Sequence, residues 1–178
     1  MCPGHARPGM TNAGAQFARV LEDIGQRVLR ELEDLPDGAL NRAVALPEAN
    51  TLFALATHLV GAGEFWVLTM IGGREIARDR EAEFHASGQY QDLERRYSAW
   101  IGAARDVLWA LTENEFDRLV SVPPERKAAL GDQPLTVRTC VLHAIEHSAL
   151  HLGHIQLTRT IITQARSDQG RDRRGNIQ

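Results

Sequence analysis

Apolar residues recur along the first part of the chain with the spacing of one face of an α-helix. They stand three or four positions apart, at Phe17, Val20, Leu21, Ile24, Val28, Leu29, Leu32 and Leu35. This spacing predicts an amphipathic helix. Thr11 or Asn12 can cap its start, and Pro36-Asp37-Gly38 ends it.

Three further helices are predicted along the chain. Residues 50–71 are apolar almost throughout and stop at Gly72-Gly73, a helix-ending pair. Residues 90–111 again show helical spacing, and residues 135–164 form the last helix. A long polar connection, residues 112–134, joins the last two helices and contains one short piece that could be extended.

Four helices of similar length, with no internal repeat and no alternating strand pattern, predict an all-α antiparallel four-helix bundle. We expect the bundle domain to span residues 11–166. Residues 1–10 are expected to be a flexible leader, with Met10 near the structural start, and residues 167–178 a disordered polar tail.

Composition narrows the class of protein. The chain has 178 residues, a hydrophobic content of 43% and a formal charge of −3. The length and hydrophobic content fit one globular domain, and the nearly balanced charge gives no electrostatic field that would attract nucleic acid. The sequence shows no secretory signal, and we expect no apolar run of membrane-spanning length. Cys2 and Cys140 cannot form a disulfide framework, so a reducing cytoplasmic location is expected.

Four of the seven histidines lie close together in the last helix. At about 100° per residue, His143, His147, His151 and His154 fall within about 80° of arc and form one stripe. Two histidines four positions apart on a helix can bind one metal ion through their imidazoles. His58, in the middle of the second helix, is the natural third ligand, because facing helices of a bundle project side chains into one core site.

The histidine stripe has alternatives to a metal site. A solvated face fits poorly, because apolar residues surround the stripe and predict a largely buried helix: Val141, Leu142, Ile145, Leu150, Leu152, Ile155 and Leu157. Buried imidazoles without partners cost about 1–3 kcal/mol each, which a metal or a polar cavity would offset. A metal-free polar pocket and a pH-sensing cluster are the alternatives that stay open.

Two metal chemistries known from helical proteins are absent from the sequence pattern. A di-iron carboxylate site needs two Glu-x-x-His motifs, and none occurs. A zincin protease needs a Glu directly after its first histidine, where this chain has Ser148. Glu146 points about 100° away from His147 and is expected behind the ligands. Cys140 could pair with His143, although a buried helical thiol is more often plain core.

Two segments resemble the DinB-like (YfiT-like) superfamily of four-helix bundles. They are the run from His58 to Trp66 and the run from His143 to Arg159, in which His147, His151 and Gly153 match the family pattern. The charged connection from Arg78 to Phe84 is also similar. The resemblance covers residues 11–166, and the two histidine segments are its specific part.

The resemblance implies a single metal bound by His58, His147 and His151, with zinc or nickel as the usual occupant. Characterised relatives include thiol-dependent S-transferases and a mycothiol-dependent isomerase, and dimers are common, so a homodimer acting on a small molecule is expected. His154 replaces a frequent Gln, and Leu152 replaces a frequent Arg. We therefore assign His143, His154 and Glu146 to positions behind the ligands or to proton transfer.

Three neutral imidazoles leave open positions on an ion, which is typical of a catalytic site. Such a site can activate water for hydrolysis or a low-molecular-weight thiol for S-transfer. Both reactions need the same ligands, and the resemblance favours S-transfer. A non-catalytic metal-binding or stress-related interaction protein is the third alternative.

Overall fold

The described part of the chain is built from five α-helices and no β-strand. The computed structural model describes residues 13–123, apart from positions 37, 45 and 48, and residues 134–175, with side chains through residue 164. The α-helices are α1 (Ala13–Glu33), α2 (Leu52–Gly63), α3 (Arg80–Phe84), α4 (Tyr90–Trp109) and α5 (Val137–Gly175). A π-helical segment (Glu64–Ile71) and a 3₁₀ turn (Glu113–Asp117) complete the described helices.

The predicted four-helix bundle is confirmed, and its long helices follow an unusual order. α1 packs against α4 and α5, and α2 packs against the same two helices, while α1 and α2 barely touch. The first two helices therefore lie on a diagonal of the bundle rather than side by side. The short α3 packs against α2.

The second helix changes its winding halfway. It begins as predicted, with the Thr51 hydroxyl accepting a hydrogen bond from the Ala54 amide at 3.1 Å. From Glu64 onward it is π-helical, and near its end the Gly72 N–H donates to the Val67 carbonyl five residues back. π-Helical turns are uncommon and concentrate at functional sites. The continuous apolar pattern of this segment gives no periodicity from which the change could be predicted.

The same helix corrects our expectation about apolar runs. Leu52–Ile71 is 20 residues long with a mean hydropathy of 1.4, which is enough to cross a membrane by length and composition. The most apolar stretch of this helix is 83% buried inside the bundle. Contacts with α4 and α5 therefore account for the apolar character of this helix.

The last helix differs from its prediction in two ways. It continues to Gly175 instead of ending near Gln164, because the added residues contain no proline. It is also less buried than the flanking apolar residues predicted. Leu142, Leu150 and Leu157 are 52%, 58% and 62% exposed on its outer face. The predicted homodimer stays a prediction.

The ends of the first helix and the long connection partly match their predictions. α1 ends at Glu33, just before the predicted stop. Most of the predicted apolar face is buried, but Val20 is 43% exposed, so its assignment to that face was wrong. Its predicted caps and the leader, residues 1–10, lie outside the described residues, as does 124–133 in the connection. The predicted extended piece forms a single bridge between Leu119 and Thr136.

Close packing at Gly63 generates a stability prediction. A Cβ at Gly63 would overlap the indole of Trp100, which is 1% exposed in the core. Overpacking of this kind typically costs about 1–3 kcal/mol. We therefore expect Gly63→Ala to lower the free energy of unfolding by about that amount, measured by urea denaturation.

Gly102 supplies the matched control in α4. A Cβ there meets nothing within 4 Å. Gly102→Ala is expected to raise the free energy of unfolding by about 0.4–1 kcal/mol, because alanine reduces the entropy of the unfolded chain. Equal effects of the two substitutions would contradict the packing described for Gly63.

Candidate metal centre

Two helices bring three histidines together inside the bundle. His58 lies in the middle of α2, and His147 and His151 lie one turn apart on α5, which packs against α2. One potential ligand atom from each side chain lies within 4.8 Å of the other two. The structure thus brings together the three residues that the sequence selected as ligands.

The three imidazoles pack ring against ring. The ring centroid of His58 lies 5.1 Å from that of His147 and 4.8 Å from that of His151. The His147 and His151 centroids are 4.4 Å apart. His58 is 3% exposed, so its ring is removed from water.

Burial keeps two of these imidazoles neutral. It lowers the pKa of His147 to about 3, and the neighbouring imidazoles His151, His58 and His143 lower it further. The pKa of His151 falls to about 4, first through burial and then through the nearby charges, which include Arg80. Neutral imidazole is the form that binds a metal ion.

The donor set fits a divalent metal ion. Nδ1 of His147 and Nδ1 of His151 are both buried and have no hydrogen-bond partner among the described residues. Leaving such atoms unpaired is costly, so the site favours a bound ion or another polar partner. Three imidazole nitrogens that converge on one point would satisfy a divalent ion and leave further positions open.

A buried carboxylate that the sequence reasoning missed stands behind His58. Glu83, in α3, is 5% exposed, and its Oε2 lies 2.8 Å from Nδ1 of His58. Arg78 donates to both oxygens of Glu83, from Nε at 2.6 Å and from a terminal nitrogen at 2.8 Å. Burial raises the pKa of Glu83, but the hydrogen bonds from Arg78 and His58 outweigh it and lower the pKa to about 2.

Only a weak sequence signal pointed to Glu83. It lies in the charged connection that resembles the family, but nothing in its spacing distinguishes it from Glu81. The space beside His58 is shaped by Gly61, one turn further along α2. A Cβ at Gly61 would overlap Oε1 of Glu83, so the glycine makes room for this carboxylate.

Aromatic rings enclose the histidines on two sides. Phe84 stacks on His58, with centroids 4.4 Å apart and planes inclined by 30°. The guanidinium of Arg80 lies 5.2 Å from the centroid of the Phe84 ring. Trp66, from the π-helical segment, packs against His143 at 4.4 Å. These contacts limit how far the imidazoles can rotate.

The remaining predicted site residues lie toward the rim. His143 is 6.0 Å from His147 between ring centroids, and His154, which is exposed, is 5.3 Å from His151. Glu146 is 81% exposed and lies 4.0 Å from Nδ1 of His143. Burial raises the pKa of the fully buried Cys140 thiol to about 11, which argues against a thiolate nucleophile there.

A separate cavity of about 270 Å³ borders the other face of the Glu83 region, between α2, α3 and α4. Two ion pairs lie in its wall: Arg78 with Glu83, and Arg96 with Glu64 through bonds of 3.1 and 2.7 Å. This cavity contains no histidine, so it is distinct from the space enclosed by the three imidazoles.

Comparisons with known proteins agree with this fold and site. A conserved protein from Enterococcus faecalis superposes with a TM-score of 0.66 at 12% identity, covering 87% of this chain and 99% of its own. YfiT from Bacillus subtilis, described as a probable metal-dependent hydrolase with an unusual four-helix bundle topology, superposes with a TM-score of 0.63 at 17% identity. That match covers 87% of this chain and 91% of YfiT. No curated protein sequence matches the chain.

The chain shares the four-helix bundle fold of YfiT, and its three inward histidines form a cluster that could hold a metal ion. The family model described as mycothiol-S-transferase matches residues 16–164. The chain belongs to the mycothiol-S-transferase family.

The lowered histidine pKa values predict how acid affects the metal-free protein. Imidazoles of the unfolded chain, with a pKa of 6.5, take up protons below about pH 6.5, whereas folded His147 and His151 stay neutral. The unfolded state then binds more protons, so the urea midpoint should fall as pH decreases from about 7 to 5. Glu83 adds its own loss only below its ordinary pKa of 4.5.

Two variants separate this effect from general acid sensitivity. Replacing both His147 and His151 by Gln should flatten the decline between about pH 7 and 5, because the linked protons are gone. His85→Gln, at an exposed position in the same connection as Glu83, should leave the decline of the urea midpoint unchanged. The same slope in all three proteins would show that the two imidazoles are protonated in the folded state.

Proposed function

We propose that this protein is a metal-dependent S-transferase that joins a low-molecular-weight thiol to a small electrophile. The family match makes mycothiol the first thiol to test. The observation that carries the proposal is the charge balance of the site. Imidazole ligands bring no negative charge to an ion, and Arg78 cancels the charge of the nearby Glu83.

This balance favours an anionic partner at the open side of the site. A zinc or nickel ion held by His58, His147 and His151 would keep its full double charge, because no ligand neutralises it. When bound, the ion supplies Lewis acidity that lowers the pKa of a thiol or of water. The sulfur then forms a bond to the carbon of the electrophile, which releases its leaving group with the electron pair of the broken bond, and the thiol proton leaves to a base.

The rim histidines are placed to take that proton. Both lie next to a ligand histidine, His143 beside His147 and His154 beside His151, and both are accessible to solvent. Glu146 lies farther out and can act only through His143, from which it is 4.0 Å away. We propose that His143 or His154 accepts the thiol proton and passes it to water.

Hydrolysis is the second candidate function, because YfiT, with the same fold, is described as a probable metal-dependent hydrolase. The two reactions share ligands and differ in whether sulfur or water attacks. A protein that binds metal without turnover would perform neither. One assay can therefore separate all three.

We expect the zinc-loaded protein to form a thioether from mycothiol and a fluorogenic bimane electrophile, followed by fluorescence and by mass spectrometry of the product. His147→Ala should reduce the rate to that without enzyme, because the site loses a ligand. His143→Gln or His154→Gln should lower kcat by about 100-fold with metal content retained, if that residue is the base.

The control reaction omits the thiol and offers an ester instead. Release of acid and alcohol by the wild type in this control, together with no thioether in the reaction with thiol, would assign the site to hydrolysis and contradict S-transfer. Neither product from fully metal-loaded protein, across a panel of thiols and electrophiles, would favour a non-catalytic role.

A further inference from the structure

Glu83 combines features that a surface carboxylate lacks. Among the residues with described side chains, it is the one acidic residue in the buried core. Both of its oxygens are occupied, Oε1 by Arg78 and Oε2 by Arg78 and His58. Burial of a charged carboxylate destabilises a protein unless its hydrogen-bond partners are fixed in place beside it.

The hydrogen bond to His58 determines where the imidazole carries its proton. An ionised carboxylate can only accept, so Nδ1 of His58 must donate to Oε2 across the 2.8 Å separation. A neutral imidazole has one N–H, and Nε2 is therefore left with a free lone pair. Because Nδ1 is engaged, Nε2 is the nitrogen that His58 can offer to an ion shared with His147 and His151.

Three features fix the carboxylate and the imidazole relative to each other. Arg78 holds it by two parallel bonds, a geometry that defines its plane. The missing side chain at Gly61 gives Oε1 its space. Phe84, the residue after Glu83, stacks on the His58 ring, so one short helix sets both the acceptor and the plane of the imidazole.

We propose that Glu83 is a positioning residue for the metal centre. Its carboxylate, held by Arg78 in the space beside Gly61, keeps His58 in the Nδ1–H tautomer and presents Nε2 to the ion. This inference rests on the proposed metal-dependent function. It assigns the connection between α2 and α4 a part in building the site, besides linking the helices.

The direct test reads the tautomer without any metal. Long-range ¹H–¹⁵N correlation on metal-free protein labelled at histidine distinguishes Nδ1–H from Nε2–H. In the wild type we expect the His58 proton on Nδ1. In Glu83→Gln, one of the two oxygens that accept from Arg78 becomes an NH₂ group, so the two-bond pair is broken and the charged acceptor for Nδ1 of His58 is lost. The His58 proton should therefore shift from Nδ1 toward Nε2.

The same variants report on metal affinity. Competition with a chromophoric chelator should show zinc affinity reduced about 10–100-fold in Glu83→Gln, as for other groups that orient a ligand histidine. Glu64→Gln is the matched control. It removes the carboxylate of the other two-bond pair with an arginine, Arg96, and contacts no histidine in the described structure. It should keep the wild-type tautomer and zinc affinity.

Gly61→Ala provides a second, independent variant. It leaves Glu83 and its charge in place, but the new Cβ displaces the carboxylate from His58. We expect the same tautomer change and weaker zinc binding as in Glu83→Gln. Circular dichroism spectra and melting curves establish that each variant is folded, and either variant alone suffices for the test.

Different results overturn the two proposals. A wild-type His58 with its proton on Nε2, or a tautomer unchanged in the folded variants, would overturn the positioning role of Glu83. Zinc affinity that is equal in the wild type, Glu83→Gln and Gly61→Ala would also overturn it. A wild type with the Nδ1–H tautomer that binds no zinc would instead contradict the proposed metal-dependent function.

Discussion

The burial of uncharged imidazoles in the interior of a helical bundle is the constraint on which the rest of the site depends. A charged imidazole at His147 or His151 would lose its hydration and would face other cationic groups, which is why the pKa values of these two residues fall to about 3 and 4. The protein therefore keeps His147 and His151 unprotonated at neutral pH. Their buried Nδ1 atoms, which have no hydrogen-bond partner among the described residues, are a cost to folding.

The connection between α2 and α4 completes what the two long helices begin. It supplies the one buried carboxylate among the described side chains and the arginine that neutralises it. It also supplies the aromatic ring that stacks on His58. Because Gly61 is needed to admit this carboxylate, a glycine on α2 and an acid in α3 act as one unit. The site is thus built from three segments that are far apart in sequence.

The sequence predicted the bundle and the histidine cluster because each has a periodic signal. Amphipathic spacing located α1 and α4, and the four-residue step from His147 to His151 indicated a shared face. The π-helical winding of Glu64–Ile71 had no such signal, since a segment that is apolar on every side shows no period. The exposed Leu142, Leu150 and Leu157 misled in the same way, because hydrophobicity alone does not reveal which face meets the core.

Glu83 could not be predicted for a different reason. Its contact with His58 spans 25 positions and depends on how a short helix docks onto α2, which local pattern does not encode. The chemistry of the site is likewise only partly predictable from the sequence. Ligand types can be identified from residue identity and spacing, whereas the attacking group depends on what occupies the open side. Our proposal of a thiol there rests on family membership and on the charge balance of the site.

Metal content of untagged protein, measured by inductively coupled plasma mass spectrometry, tests the central claim most directly. Wild type and His151→Ala are purified in parallel, with His85→Ala as an exposed-histidine control. We predict about one equivalent of zinc or nickel in the wild type and in His85→Ala, and its loss in His151→Ala. A folded wild type that contains no metal and takes up none from added zinc would contradict the three-histidine metal centre.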